Sequence, residues 1–192
     1  ERSRYLLVEN RKVENYVDMA LYYARMDAVY KDYMIAETNL QEVAQQVLLQ
    51  NKYYLIQSHV KAEVACPDTV YSDKKWIAFI LNQLIQNSVK YGRSEGTHIQ
   101  IVTKKTKSGV LLWVKDDGIG IPKEEIRRIF EKGFTGTNGR NRERSTGMGL
   151  YLCRKLCDKL NIEIRAESAE GKGTEIILMF PVSDYLTGYR ET

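Results

Sequence analysis

The stretch from Ser72 to Gly92 constrains this chain more than any other. Ser72 or Asp73 suits a helix N-cap, and Gly92 suits a helix stop. At about 100° per residue, Ile77, Ile80, Leu81, Leu84 and Ile85 fall on one stripe. Gln83, Asn87 and Lys90 fall on the neighbouring stripe. Such a helix buries its apolar stripe against a sheet and lines a cleft with its polar one. Strands are predicted at 97–103 and 110–116, joined by Lys107-Ser108-Gly109, and at 162–167 and 174–180, joined by Glu170-Gly171-Lys172-Gly173. Asn39 is predicted to cap a helix running to about Asn51, with Glu42 as its capping-box partner. Residues 53–65 read as a strand or hairpin, and Val70 to Ser72 as a short strand. Pro122 is expected to open a short helix to about Glu131, and a further helix is expected from Met148 to Leu160. The fold class that follows is α+β: a two-layer α/β sandwich, with helices on one face of a mostly antiparallel sheet.

The 192 residues are 43% hydrophobic and 28% charged, which suits a soluble globular chain with a real core. The longest apolar runs, Met19 to Ala24 and Trp76 to Leu81, have six residues. A membrane-spanning helix needs ~20, so no membrane contact is expected. The first residue is Glu1, as expected of a piece of a longer protein. Tyr5, Val8, Val13, Val17, Leu21 and Ala24 recur at helical spacing, which predicts an N-terminal helix that packs on a partner or a second copy. Three cysteines without a CxxC, and two histidines, argue against a disulfide framework or a zinc site. Cys153 and Cys157 sit among Leu150, Leu156 and Leu160 as expected of core thiols. The net charge is +4, concentrated in Arg127, Arg128, Lys132, Arg140, Arg142 and Arg144. That cluster reads either as a solvated face or as a phosphate-binding surface. No aromatic platform for nucleic acid accompanies it.

Several segments carry candidate chemistry. The amides of Gln83 and Asn87 suit Mg²⁺, which takes a few protein oxygens plus phosphate and water, and Lys90 suits phosphate charge. The alternative is an ordinary polar helix face. Asp116-Asp117-Gly118-Ile119-Gly120-Ile121-Pro122 follows an apolar strand. A carboxylate there can accept an exocyclic amine, and the glycines permit close backbone approach. A plain strand-to-helix turn is the alternative. Ser145-Thr146-Gly147-Met148-Gly149-Leu150 opens a helix whose free N–H groups suit an anion, or is simply a glycine-bearing helix start. It is not a Walker loop. Phe130 and Phe134 suit a lid hinge or core packing, and the five glycines between 133 and 149 suggest a mobile loop. Thr174, entering the last strand, can offer its hydroxyl to the cleft.

In this order, the segments resemble the ATP-binding catalytic domain of bacterial two-component sensor histidine kinases, in the gyrase, Hsp90, kinase and MutL superfamily. Asn87-Ser88-Val89-Lys90-Tyr91 looks like the N box, Asp116 to Pro122 the first glycine box, Phe130 to Phe134 the F box, and Gly147-Met148-Gly149-Leu150 the second glycine box. The resemblance implies a Bergerat fold at 33–182, the end of a dimerisation and phosphoacceptor helix at 1–32, and a tail at 183–192. It implies ATP between the long helix and a lid, with Mg²⁺ on Asn87 and Gln83 and phosphate met by Lys90. Asp116 would bind the adenine amine, with Tyr91, Gly118, Gly120 and Thr174 around the base. Gly147 and Gly149 would admit the phosphates, Arg140 would touch the γ-phosphate, and Ile121, Phe130, Thr146, Met148 and Leu150 complete the nucleotide set. Asn87, Lys90 and Arg140 would serve catalysis. The implied activity is transfer of the γ-phosphoryl group to a histidine upstream of this chain, for relay to a response regulator. His59 and His98 read as surface or structural residues. The implied setting is the cytoplasmic part of a homodimeric membrane protein. Leu21 to Asp27, Asp73 to Trp76 and Gly133 to Gly136 resemble a subgroup partnered with peptide-antibiotic transporters. Rival readings on the same fold are an ATP-driven clamp and a non-catalytic nucleotide sensor. The clamp is disfavoured because those relatives place a water-activating glutamate where this chain has Gln83, which cannot accept a proton.

Overall fold

The computed structural model describes residues 33–137 and 146–182, with residues 9, 13, 16, 17, 19–22 and 24 of the N-terminal segment. The described order is β1 (Ala36–Asn39), α1 (Leu40–Gln50), α2 (Lys52–Gln57), β2 (Val60–Ala65), β3 (Thr69–Ser72), α3 (Lys74–Lys90), β4 (Thr97–Thr106), β5 (Gly109–Asp116), α4 (Gly149–Lys159), β6 (Glu163–Ser168) and β7 (Thr174–Pro181). Five strands form one sheet in the order β2-β4-β5-β7-β6, and β1 pairs with β3 in a separate two-stranded sheet. Among the described strands, only the β2–β4 pairing is parallel; the other pairings are antiparallel.

Alternation builds the core. Ile99 and Ile101 on β4, Val110, Leu112 and Val114 on β5, Ile176, Leu178 and Phe180 on β7, and Ile164 on β6 are all buried. The register puts Ile101 opposite Val114, Leu112 opposite Leu178, and Ile164 opposite Leu178, so these residues share one face. Helix α3 meets that face with Ile77, Ile80, Leu81, Leu84 and Ile85, the stripe expected from spacing. Helix α1 adds Leu40, Val43, Ala44 and Val47. Helix α4 adds Leu152, Cys153, Leu156 and Cys157. Burial in apolar surroundings pushes the Cys66 thiol up to about 11 and the Cys157 thiol up to about 12, so both stay protonated.

Two expectations are corrected. Residues 53–65 are not one strand, because Lys52–Gln57 is a helix and only Val60–Ala65 is extended. The Asn51 amide nitrogen donates to Val47 O at 2.8 Å and to Asn82 Oδ1 on α3 at 2.8 Å, while Leu55 N donates to Asn51 O at 2.9 Å. This anchor overrides the strand preference of Tyr53, Tyr54 and Ile56, and His59 at φ +54° then turns the chain into β2. Nor does Pro122 open a helix. Glu125 N bonds Pro122 O, Arg128 N bonds Glu125 O and Glu131 N bonds Arg128 O, at 2.8 to 2.9 Å, giving consecutive three-residue turns. The pairing of β1 with β3 was not expected at all.

The caps follow the sequence. Asn39 Oδ1 accepts from Glu42 N at 3.1 Å. Buried Asp73 accepts from Lys75 N and Trp76 N through Oδ1, and from Met34 N through Oδ2 at 2.8 Å. The same end of α3 receives Tyr22 of the N-terminal segment, whose ring lies 4.6 Å from Trp76 and 4.4 Å from Phe79, centroid to centroid. Val13, Val17 and Leu21 of that segment are exposed. No helix among the described residues is long and apolar enough to cross a membrane. Replacing Asp73 with Ala removes a cap and strands three backbone donors, so the expected loss is about 2 kcal/mol in urea unfolding. A change under about 0.5 kcal/mol, the level of an ordinary surface substitution, would show that the cap is not holding this end of α3.

Candidate functional site

The C-terminal end of α3 and the ends of β5 and β7 converge beneath the segments before and after residues 138–145. They enclose a cleft of about 110 Å³. Leu84, Ile121, Pro122, Ile129, Leu150 and Ile176 give it apolar walls, and Asn87, Ser88, Asp116 and Thr174 give it a polar floor. Tyr91, Glu125 and the segment Phe134–Gly136 complete the rim.

Asp116 is the hub. It ends β5 opposite Thr174 on β7. Its Oδ1 accepts from Gly118 N at 3.0 Å and Thr174 N at 3.2 Å, and its Oδ2 accepts from Ser88 Oγ at 2.8 Å. Burial raises its pKa above the ordinary aspartate value, the three donors pull it down, and neighbouring Asp117 adds to the rise. A carboxylate has about four acceptor sites. With three filled by the protein, about one is left for a donor in the cleft.

Thr174 reads in the same sense. The single proton of Ser168 Oγ goes to Gly173 O at 2.6 Å, while Ile121 N donates to Ser168 Oγ at 2.9 Å. The 3.1 Å contact between Ser168 Oγ and Thr174 Oγ1 therefore uses the Thr174 proton. Thr174 is left with lone pairs only, so both floor groups accept.

The loop after Asp116 is held from two sides. Ile119 N donates to Tyr91 O at 3.0 Å, and Gly171 N donates to Ile119 O at 2.8 Å. Arg93 donates to Asp117 O and Gly171 O, both at 2.7 Å. A Cβ on Gly118 would lie 2.6 Å from Tyr91 O, and one on Gly120 would lie 2.0 Å from Ala169 O. The space left by these glycines is occupied by the protein's own backbone rather than kept for a ring.

Of the expected site residues, Asn87, Tyr91, Asp116, Gly120, Ile121, Leu150 and Thr174 line the cleft. Lys90 sits beside it with its ammonium 5.9 Å from the Tyr91 ring centroid. Gly118 lies beneath the loop and Phe130 packs against the core, where its neighbour Ile129 faces the cleft instead. Thr146, Gly147 and Met148 lead into α4, Gly149 is its first residue, and Met148 N donates to Thr146 Oγ1 at 3.4 Å. Gln83 is not brought to the cleft. It is 5% exposed, its Nε2 is buried without a hydrogen bond, and its Oε1 faces Gly149. Arg140 lies outside the described residues, as do Arg142, Arg144 and Ser145. Sequence reasoning missed Ser88, Glu125, Ser168 and Ile176. Ile176 was within reach, since it shares the inner face of β7 with Thr174. Ser88, one position from Asn87, faces Asp116 at the end of β5. Glu125 and Ser168 carried no signal. His59 is exposed at its turn, and His98 lies within β4 with Nε2 3.2 Å from Glu63 Oε1.

Among the described residues, no group of three His, Cys, Asp or Glu side chains is placed to hold a metal. The cleft offers the Asn87 amide, so a divalent cation fits here where a ligand supplies further oxygens.

Residues 72–184 match the family of histidine kinase-, DNA gyrase B- and HSP90-like ATPases, and the chain belongs to that family. It is 34% identical over 174 residues to the sensor histidine kinase YxdK of Bacillus subtilis, covering 90% of this chain and 54% of that protein. It is 35% identical over 189 residues to the sensor protein kinase GraS of Staphylococcus aureus, covering 96% and 53%. The chain thus spans about half the length of the curated relatives it matches. Among solved structures, the catalytic domain of the histidine kinase ThkA matches 77% of this chain and 97% of its own, at 26% identity and a TM-score of 0.66. ThkA in complex with the response regulator protein TrrA shares the fold at 23% identity and a TM-score of 0.69, over 92% of this chain and 49% of that one.

Because folding raises the Asp116 pKa, this group stabilises the fold most below the ordinary aspartate value. That contribution is lost as pH rises through the raised one. Asp116→Asn lacks this dependence. Its melting temperature is expected to gain on wild type between about pH 3 and about pH 7, the range in which aspartates titrate. A difference that moves the other way would mean that the fold favours the charged carboxylate.

Proposed function

We propose that the cleft binds Mg-ATP, and that the chain presents the γ-phosphoryl group to a histidine on a dimerisation domain, for relay to a response-regulator aspartate. The observation that carries this reading is the floor of the cleft. Asp116 and Thr174 both accept hydrogen bonds there, between apolar walls that include Leu84, Ile121, Leu150 and Ile176. Adenine offers an exocyclic amine donor, while guanine offers a carbonyl acceptor at the corresponding edge. Tyr91 and Ile121 border the base, and Leu150 leads from the base toward the N-terminus of α4.

The phosphates would extend toward Gly147 and Gly149, where the first-turn N–H groups of α4 have no side-chain cap. Lys90 would neutralise phosphate charge beside Tyr91, and Arg140 would add a second cation. Asn87 would hold the Mg²⁺ together with phosphate oxygens. The bound ion supplies charge neutralisation on the phosphates. Transfer then depends on placement of an imidazole in line with the γ-phosphorus. Gln83 replaces a possible general base with a buried amide, which supports transfer to a histidine over steady hydrolysis.

The surrounding assembly is part of the same proposal. Residues 1–32 would end the dimerisation helix, residues 33–182 would form the ATP-binding domain, and residues 183–192 would be its tail. The full protein would be a homodimer anchored in the cell membrane with this part in the cytoplasm. A response regulator would be its output partner and a peptide transporter a further one. YxdK and GraS are named as sensor kinases and the chain spans about half of each, which supports a larger sensor kinase around this domain.

The test is calorimetric titration with ATP and Mg²⁺, followed by mixing with a phosphoacceptor domain and labelled ATP. Wild type is expected to bind ATP in preference to GTP and to label the acceptor histidine. Asp116→Asn is expected to weaken ATP by about tenfold to a hundredfold, because a buried acceptor is replaced by an amide able to donate. Asn87→Ala is expected to remove the Mg²⁺-dependent part of the affinity. Wild type that ignores ATP, or an Asp116→Asn protein that binds it unchanged, ends the proposal.

A further inference from the structure

The segment Phe134–Thr137 forms part of the cleft wall, with Phe134 and Thr135 outside any helix or strand and Gly136 and Thr137 in helical conformation. Phe134, Thr135 and Gly136 line the cleft. A wall made of such a segment needs something to hold it. Thr137 N donates to Glu125 Oε1 at 2.9 Å, and Thr137 Oγ1 donates to the same oxygen at 2.6 Å. Glu125 is itself fixed in the consecutive turns, where its N bonds Pro122 O and its O accepts from Arg128 N. The Arg128 guanidinium covers the Phe134 ring at 4.6 Å from the centroid. Gly136, at φ +58°, brings the chain so close that an added Cβ would sit 2.6 Å from Glu125 Oε2. The carboxylate thus occupies the space that a side chain at position 136 would need.

We infer that Glu125 is a positioning residue for the nucleotide: it holds Phe134–Thr137 in place as a preformed wall of the cleft. The inference rests on the ATP reading of that cleft and deepens it. Glu125 also stands on the rim itself, and the Thr137 variant isolates its effect through the segment it pins. Both donors are on Thr137 and both bonds are charge-assisted. When the pin is absent, nucleotide binding must order the segment, and that ordering is subtracted from affinity. The wall meets the bound nucleotide equally before and during any later chemistry, so the effect belongs to binding rather than to turnover.

The experiment uses this chain, with Mg-ATP as the probe in calorimetry and amide exchange read over residues 134–137. Glu125→Ala is expected to raise the ATP dissociation constant about tenfold, and Thr137→Val about threefold. Glu125→Gln, which keeps an oxygen acceptor for both donors, is expected to stay within about twofold, and the Glu125→Ala/Thr137→Val pair to be no weaker than Glu125→Ala alone. Exchange of the Thr137 amide is expected to quicken in Glu125→Ala and not in Glu125→Gln. If Glu125→Ala unfolds, Thr137→Val at an exposed position reads the same pin, and wild-type affinity in that variant overturns the inference. Equal losses in Glu125→Ala and Glu125→Gln overturn it too, because the acceptor would not be the cause. If wild type binds ATP and Glu125→Ala binds it as tightly, this inference alone falls. If wild type does not bind ATP, the nucleotide reading falls and takes this inference with it.

Discussion

One carboxylate joins the three parts of this molecule. Asp116 receives a hydroxyl from α3, a backbone N–H from its own loop and a backbone N–H from β7. Each donor comes from an element that the core already fixes. The helix is set by its apolar stripe, the loop by Tyr91 and Arg93, and β7 by its pairing with β5. The core does not need the carboxylate, since a buried charge is unfavourable even with three donors. What those donors secure is its direction. A group that the fold tolerates rather than prefers is where function and stability diverge.

Helix α3 explains how such a site can be rigid. Its middle is core, its N-terminal end is capped by Asp73 and packed by Trp76 and Phe79, and its C-terminal end delivers Asn87, Ser88 and Tyr91. Core packing along the helix leaves the cleft end little freedom to rotate or slide. The opposite wall is built differently. Turns and hydrogen bonds at the surface hold Ile129, Phe134 and Gly136 there, with a smaller share of core. The cleft therefore has one stiff side, carrying the polar floor, and one side of lower local stability.

The sequence made the stiff side legible and the other side obscure, for a physical reason. Hydrophobic period reveals elements that bury a face, so α1, α3, α4 and the strands from β4 onward were readable within a residue or two, apart from the end of β4, which runs on to Thr106 past the expected 103. Asn87, Asp116 and Thr174 stand at the ends of those elements and were readable with them. The helix at Lys52–Gln57 was misread because its order comes from Asn51 reaching Asn82, 31 positions away. The turns after Pro122 were misread because their bonds have a three-residue repeat that no apolar stripe records. Glu125 and Ser168 act through partners that include Thr137 and Ile121, 12 and 47 positions away, and nothing local distinguishes such a residue from a solvated one. Gln83 shares a helix face with Asn87, as its spacing indicates, but it does not line the cleft. Its longer arm is buried with Oε1 toward Gly149, a side-chain placement that spacing alone does not resolve.

The buried thiols carry a separate consequence. Cys153 and Cys157 lie in the seam between α4 and the rest of the core, and Cys66 is shut beneath α1 with its sulfur donating to Ile101 O at 3.2 Å. None is ionised near neutrality and none is accessible while the helices stay seated. An alkylating reagent reaches them only when a helix lifts. The rate of thiol capture is thus a clock for local opening, with two residues timing α4 and a third timing the far end of the sheet.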